Sequence, residues 1–151
     1  MITRKGVIIQ TGADTFTAQA VDTNLTADGK SGWQILSVAA YWANGETAAA
    51  ADHDMNLVLA TISTVTSFES MDEIARINWA MQNTAGVAVA VALNLVKDRV
   101  LFNPRITVQP VIYIQAQSTL TGLTNAIAWE INYELVKLTD LEVLKLLQGG
   151  A

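Results

Sequence analysis

From Ala126 to Leu138 the chain alternates with a period of two. Ile127, Trp129, Ile131, Tyr133 and Leu135 fall on one side of an extended backbone, and Glu130, Asn132 and Glu134 on the other. A 3.6-residue period would smear those charges into the apolar stripe, so the segment predicts a half-buried β-strand, not a helix. A strand with one apolar face needs neighbours along its edges and a second layer over that face. This one segment therefore commits the chain to a layered β architecture.

The same period recurs upstream. Val87, Val89, Val91, Leu93 and Leu95 alternate with Ala88, Ala90, Ala92 and Asn94, giving a branched face and an alanine face that lets another surface approach closely. Ile77, Trp79 and Met81 alternate with Arg76, Asn78 and Ala80. Trp33–Trp42, Met55–Val65 and Ile106–Gln117 are rich in β-branched or aromatic residues and also predict strands. Two shorter pieces, Val7–Gln10 and Thr15–Val21, bring the number to about eight. Between them lie Gly, Asn and Asp clusters such as Asp28-Gly29-Lys30-Ser31-Gly32 and Asn44-Gly45, residue types that suit turns. The two prolines, Pro104 and Pro110, sit near an expected strand junction.

The expectation is a mainly β fold: a two-sheet antiparallel sandwich, a single jelly roll of about eight strands, in one domain spanning residues 1–151. One short helix is expected at the C-terminal end, about residues 139–148. Thr139-Asp140-Leu141-Glu142 matches a capping box, in which the threonine hydroxyl takes the amide of Glu142 and the glutamate reaches back to Thr139. Asp140 and Glu142 also suit the positive end of the helix dipole, and Gly149-Gly150 ends the segment. Leu141, Val143, Leu144, Leu146 and Leu147 cover more than half of the helix circumference, wider than an ordinary surface helix shows. Two readings follow: a helix wedged into the open end of its own domain, or one that packs partly on a neighbour. In the second, Leu144 and Leu147 are the interface residues.

Residues able to carry chemistry are few. The chain has no cysteine, which excludes disulfides, thiolate metal sites and cysteine nucleophiles. Its single histidine, His53, stands in Asp52-His53-Asp54; adjacent residues of an extended segment point to opposite sides, so the tripeptide predicts a polar loop instead of a metal or proton-transfer site. No Gly-x-Ser-x-Gly elbow or phosphate-binding glycine loop is present. Glu130 and Glu134 share a strand face at ~13 Å between Cα atoms, too far apart for simple paired-carboxylate catalysis. No enzymatic activity, cofactor or metal is expected. Of the four tryptophans, Trp79 and Trp129 lie in apolar stripes and predict core positions. Trp33 and Trp42 fall on opposite faces by simple alternation along one strand, which singles out Trp42 as a further interface residue.

Charge narrows the partners. Charged residues are only 15% of the chain, against about 25% for an ordinary soluble domain, so more of the surface is left for contact with other copies. Nine Lys and Arg face fourteen Asp and Glu, a net charge of −5. The cations are scattered, with Arg4-Lys5 and Lys97/Arg99 as the close groups, and direct nucleic-acid binding is not expected. Apolar runs such as Val87–Leu93 fall far short of the ~20 residues of a transmembrane helix, and Met1–Gly6 lacks the apolar region of a signal peptide.

The order Asp14-Thr15-Phe16, Asp28-Gly29-Lys30-Ser31-Gly32-Trp33-Gln34-Ile35, Val111-Ile112-Tyr113-Ile114 and Ala128-Trp129-Glu130-Ile131-Asn132-Tyr133-Glu134-Leu135-Val136-Lys137-Leu138 resembles single-jelly-roll structural proteins of tailless icosahedral viruses and phages. The resemblance implies a capsid subunit that self-assembles into a shell, with copies of itself and other virion proteins as partners. It also implies residence in the virion after synthesis in the host cytoplasm. The Arg-rich N-terminal arm of many small-virus coats is missing, which leaves the genome to another component. The alternative function is a carbohydrate- or receptor-binding jelly roll, such as a spike or decoration protein, which requires an exposed aromatic platform.

Overall fold

In the computed structural model, residues 1–12, 15–25, 30–42, 53–64, 72–81, 96–118 and 126–149 are described. They form eight strands and a helix: β1 (Ile2–Ile9), β2 (Thr17–Asp22), β3 (Ser31–Trp42), β4 (His53–Ala60), β5 (Glu73–Met81), β6 (Val96–Thr107), β7 (Val111–Ser118), β8 (Ala126–Lys137) and α1 (Asp140–Gly149). One sheet has the order β1-β8-β3-β6 and the other β2-β7-β4-β5. Every pairing is antiparallel.

The pairs are nested. β1 bonds β8, β2 bonds β7, β3 bonds β6 and β4 bonds β5, as if one long hairpin had been rolled up; the pairs β3–β8 and β4–β7 stitch the rolled layers into sheets. This is the jelly-roll order. Alternation supplies the core: Ile35, Leu57, Leu59, Ile112, Ile114, Ile127 and Ile131 are fully buried between the two sheets.

Most expected strands are present, with four differences. Ile106–Gln117 is two strands, because Pro110 lacks an amide for a ladder and sits in the turn between β6 and β7. That turn is clamped by Thr23, whose amide and hydroxyl both donate to the Pro110 carbonyl at 3.0 Å. Pro104 lies inside β6, at the edge of its sheet where a missing amide is tolerated. His53 opens β4, where a polar loop was expected. The alternating stretch Val87–Leu95 lies outside the described residues.

The fourth difference concerns parity. Between Ile35 and Ser37 the register of β3 shifts against both neighbours: against β8, Leu36 is the extra residue of a β-bulge, whereas against β6 the extra residues lie on β6, between Val100 and Arg105. Before the bulge Trp33 and Ile35 are buried; after it Val38 and Ala40 are. Simple alternation therefore fails across Leu36, and Trp42 occupies a backbone position paired with the buried Ile127. Across the bulge, alternation alone no longer sets position 42 on the face opposite position 33. The side chains of Trp42, His53 and Trp79 lie outside the described residues.

Candidate assembly surface

The inner stripe of β8 begins as core. Trp129 is 4% exposed, and its indole covers Gly6, its register partner on β1. A side chain at position 6 would overlap the indole at Cζ2. The Nε1 hydrogen of Trp129 is donated to Oε1 of Gln19 on β2, at 2.9 Å, which ties the two sheets together at this corner. Further along, Tyr133 stacks on Trp33 with ring centroids 3.6 Å apart and planes 13° from parallel. The Arg4 guanidinium lies 6.0 Å from the Trp33 ring centroid, a cation–π distance, and Nη2 donates to the Asp22 carbonyl at 3.2 Å. The aromatic pair closes the core at this end.

Leu135 is the next residue in the same stripe, and it is 59% exposed. The sequence places it in the core; the structure leaves it exposed beside its register partner Trp33, with Met1 and Ile2 also exposed near that end of β1. The chain is then fixed at Leu138, whose amide donates to the Lys30 carbonyl at 2.9 Å. Beside it, Gly32 is buried so tightly that a Cβ would stand 3.0 Å from Ile106 and 3.1 Å from Leu138 and the Thr107 carbonyl.

At Thr139 the capping box forms as its sequence requires. The Thr139 amide and hydroxyl each donate to Oε2 of Glu142 at 2.7 Å, and the Glu142 amide donates to the Thr139 hydroxyl at 3.3 Å. The first intrahelical bond, Val143 amide to Thr139 carbonyl, is 3.0 Å. The hydrogen bond from the Thr139 amide, followed by that from its hydroxyl, holds the Glu142 carboxyl below its ordinary pKa.

The five apolar residues of α1 then divide. Val143 and Leu146 are half-buried, whereas Leu141, Leu144 and Leu147 are 61%, 49% and 58% exposed. Spaced at i, i+3 and i+6, these three form one continuous stripe. Among the described residues no strand packs broadly against the helix. Of the three interface residues expected from sequence, the structure brings Leu144 and Leu147 onto one exposed face and adds Leu141 to it.

The outer face of the β1 sheet differs in character. The Thr3 hydroxyl donates to Asn132 Oδ1 at 2.7 Å; Asn132 Nδ2 donates to the Ser37 hydroxyl at 3.0 Å and to Glu130 at 3.2 Å. Lys5 meets Glu130 at 2.9 Å. Their mutual hydrogen bond raises the Lys5 pKa and lowers that of Glu130. Arg76 likewise pairs with Glu73 at 2.7 Å. Several of the cations are thus engaged by this chain's own groups. Val7 and Ile9, at 47% and 59% exposure, add a smaller apolar area on the edge strand β1.

Among the described residues no group of three or more His, Asp or Glu is arranged to hold a metal, and no helix is long and apolar enough to cross a membrane. No family model matches the sequence, and no curated protein matches it significantly. Among solved structures, the fold is similar to a chain of Desmodium yellow mottle tymovirus, at a TM-score of 0.37 and 11% identity over 92% of this chain and 90% of that one.

Proposed function

We propose that this chain is a non-enzymatic structural subunit whose copies assemble into a viral or phage shell, in one domain spanning residues 1–151 and without a cofactor. A jelly roll serves coats, lectins and enzymes alike, so the fold by itself does not choose. The observation that carries the reading is the outward stripe Leu141, Leu144 and Leu147. Contiguous exposed apolar surface on a soluble fold marks an interaction site, and covering it gains roughly 25 cal/mol per Å². A charged content of 15% supports extensive burial of the remaining surface between copies.

Two further features favour a wall component. The chain carries a net charge of −5, and Lys5 and Arg76 are paired with carboxylates, so the genome is left to another component. Among the described residues, the two tryptophans whose side chains are placed, Trp33 and Trp129, are 1% and 4% exposed and supply no platform for a sugar. In this reading the protein is made in the host cytoplasm and resides in the virion with copies of itself and other virion proteins.

Light scattering and electron microscopy of the purified protein in native solution test the proposal. Closed particles of uniform size are expected, and a protein that stays monomeric at high concentration would overturn it. Titration with single-stranded and duplex DNA and RNA at near-physiological salt is expected to give no submicromolar binding; tight binding with a steep salt slope would contradict a wall role.

A further inference from the structure

We infer that the occupant of the leucine stripe is the same helix of a second copy, lying antiparallel across a two-fold axis that passes near Leu144. The inference rests on the self-association reading above and names its partner. The helix has ten residues, shorter than the roughly 12–15 needed for a marginally stable isolated helix in water. It has a well-made cap but directs Leu141, Leu144 and Leu147 away from its own sheets. A helix built in this way gains most from a partner that covers the stripe.

Charge selects the partner and its direction. Asp140 and Glu142 occupy the first turn and no basic residue occupies the last; Lys145 is the single cation of the helix. That balance is wrong for an anionic lipid surface, which attracts helices rich in Lys and Arg. A parallel pair of α1 helices sets acidic turn beside acidic turn and Lys145 beside Lys145. An antiparallel pair moves each Lys145 toward the acidic first turn of the other helix and opposes the two helix dipoles favourably. Leu141 then meets Leu147 of the other copy, Leu144 meets its own equivalent, and the contact is isologous, as a two-fold requires.

The geometry makes a sharp test, because the chain contains no cysteine and any introduced thiol is unique. Helices in contact lie about 8–10 Å apart axis to axis, and Cα atoms stand ~2.3 Å off each axis. Cα atoms facing each other at the crossing are therefore about 3.5–5.5 Å apart, a range whose upper half falls within disulfide reach. Full-length Leu144→Cys, Leu141→Cys and Leu147→Cys proteins, whose altered positions are exposed, are equilibrated in a glutathione redox buffer and run without reductant. Leu144→Cys is expected to form a covalent dimer on its own. Leu141→Cys and Leu147→Cys are expected to cross-link poorly alone and well when mixed.

Particles that form while Leu144→Cys stays uncross-linked, or while Leu141→Cys links to itself, overturn the helix pairing and leave the shell reading standing. Cross-linked dimers without particles support the pairing and count against the shell. Monomers with no cross-link overturn both.

Discussion

Strand β8 and the helix that follows it carry two apolar stretches with opposite fates. Ile127, Trp129, Ile131 and Tyr133 are buried, covered by the facing sheet and closed off by the Trp33–Tyr133 stack. Leu135, Leu141, Leu144 and Leu147, a few residues later, are all about half exposed or more. Hydrophobicity does not distinguish the two stretches; position relative to the end of the sandwich does. The first is consumed by the fold of one copy, and the second remains available to others. Substitutions in the first should register as stability, and in the second as assembly.

The largest effect is expected at Trp129. Trp129→Ala removes the indole that covers Gly6 and the hydrogen bond to Gln19, and should cost about 3–5 kcal/mol in urea unfolding. A loss under about 1 kcal/mol, the size of an average substitution, would show that the first stretch is not part of the stabilising core.

Gly6→Ala comes next. The added methyl meets the Trp129 indole, and overpacking of this kind costs about 1–3 kcal/mol. The penalty should shrink in a Trp129→Phe background if the indole is its cause, so a double-mutant cycle measures the coupling. An unchanged penalty would place the strain elsewhere.

The smallest effect is electrostatic and sits on the exposed side. Glu142 is held ionised by Thr139, below its ordinary pKa of 4.5. A lowered folded-state pKa means that the cap's support is fully present above pH 4.5 and is lost as pH falls through the folded value. Helical circular dichroism should therefore drop on that acid side, and Glu142→Gln should flatten the change. A drop that persists in Glu142→Gln would assign it to other carboxylates.

Much of this was legible in the sequence, and the failures have physical causes. Alternation located the strands because one-sided burial imposes it, and Thr139-Asp140-Leu141-Glu142 announced the helix start because capping is local. The jelly roll was expected from the number of strands and the length of the chain, but its individual pairings were not legible: β1 finds β8 more than a hundred residues away, and no local pattern encodes that choice. Leu36 carries no mark of a bulge, yet the bulge reverses parity and with it the case for Trp42. Ile106–Gln117 reads as one strand by composition, and only the turn at Pro110 divides it. Leu135 fits the core stripe of β8 by alternation; its exposure beside the buried Trp33 is a tertiary fact. Gly6 is unremarkable until Trp129 is seen lying over it.

In the proposed assembly the stripe on α1 belongs to other copies and not to this chain's own core. Sedimentation velocity and thermal unfolding of the Leu144→Glu/Leu147→Glu protein beside the parent test it together. Both positions are about half exposed, so the fold of the single copy should hold within about 0.5 kcal/mol per substitution, measured at a concentration where the parent is dissociated. Assembly should collapse, with the variant sedimenting as a single subunit where the parent forms particles. Particles of parental size from the variant would contradict the account.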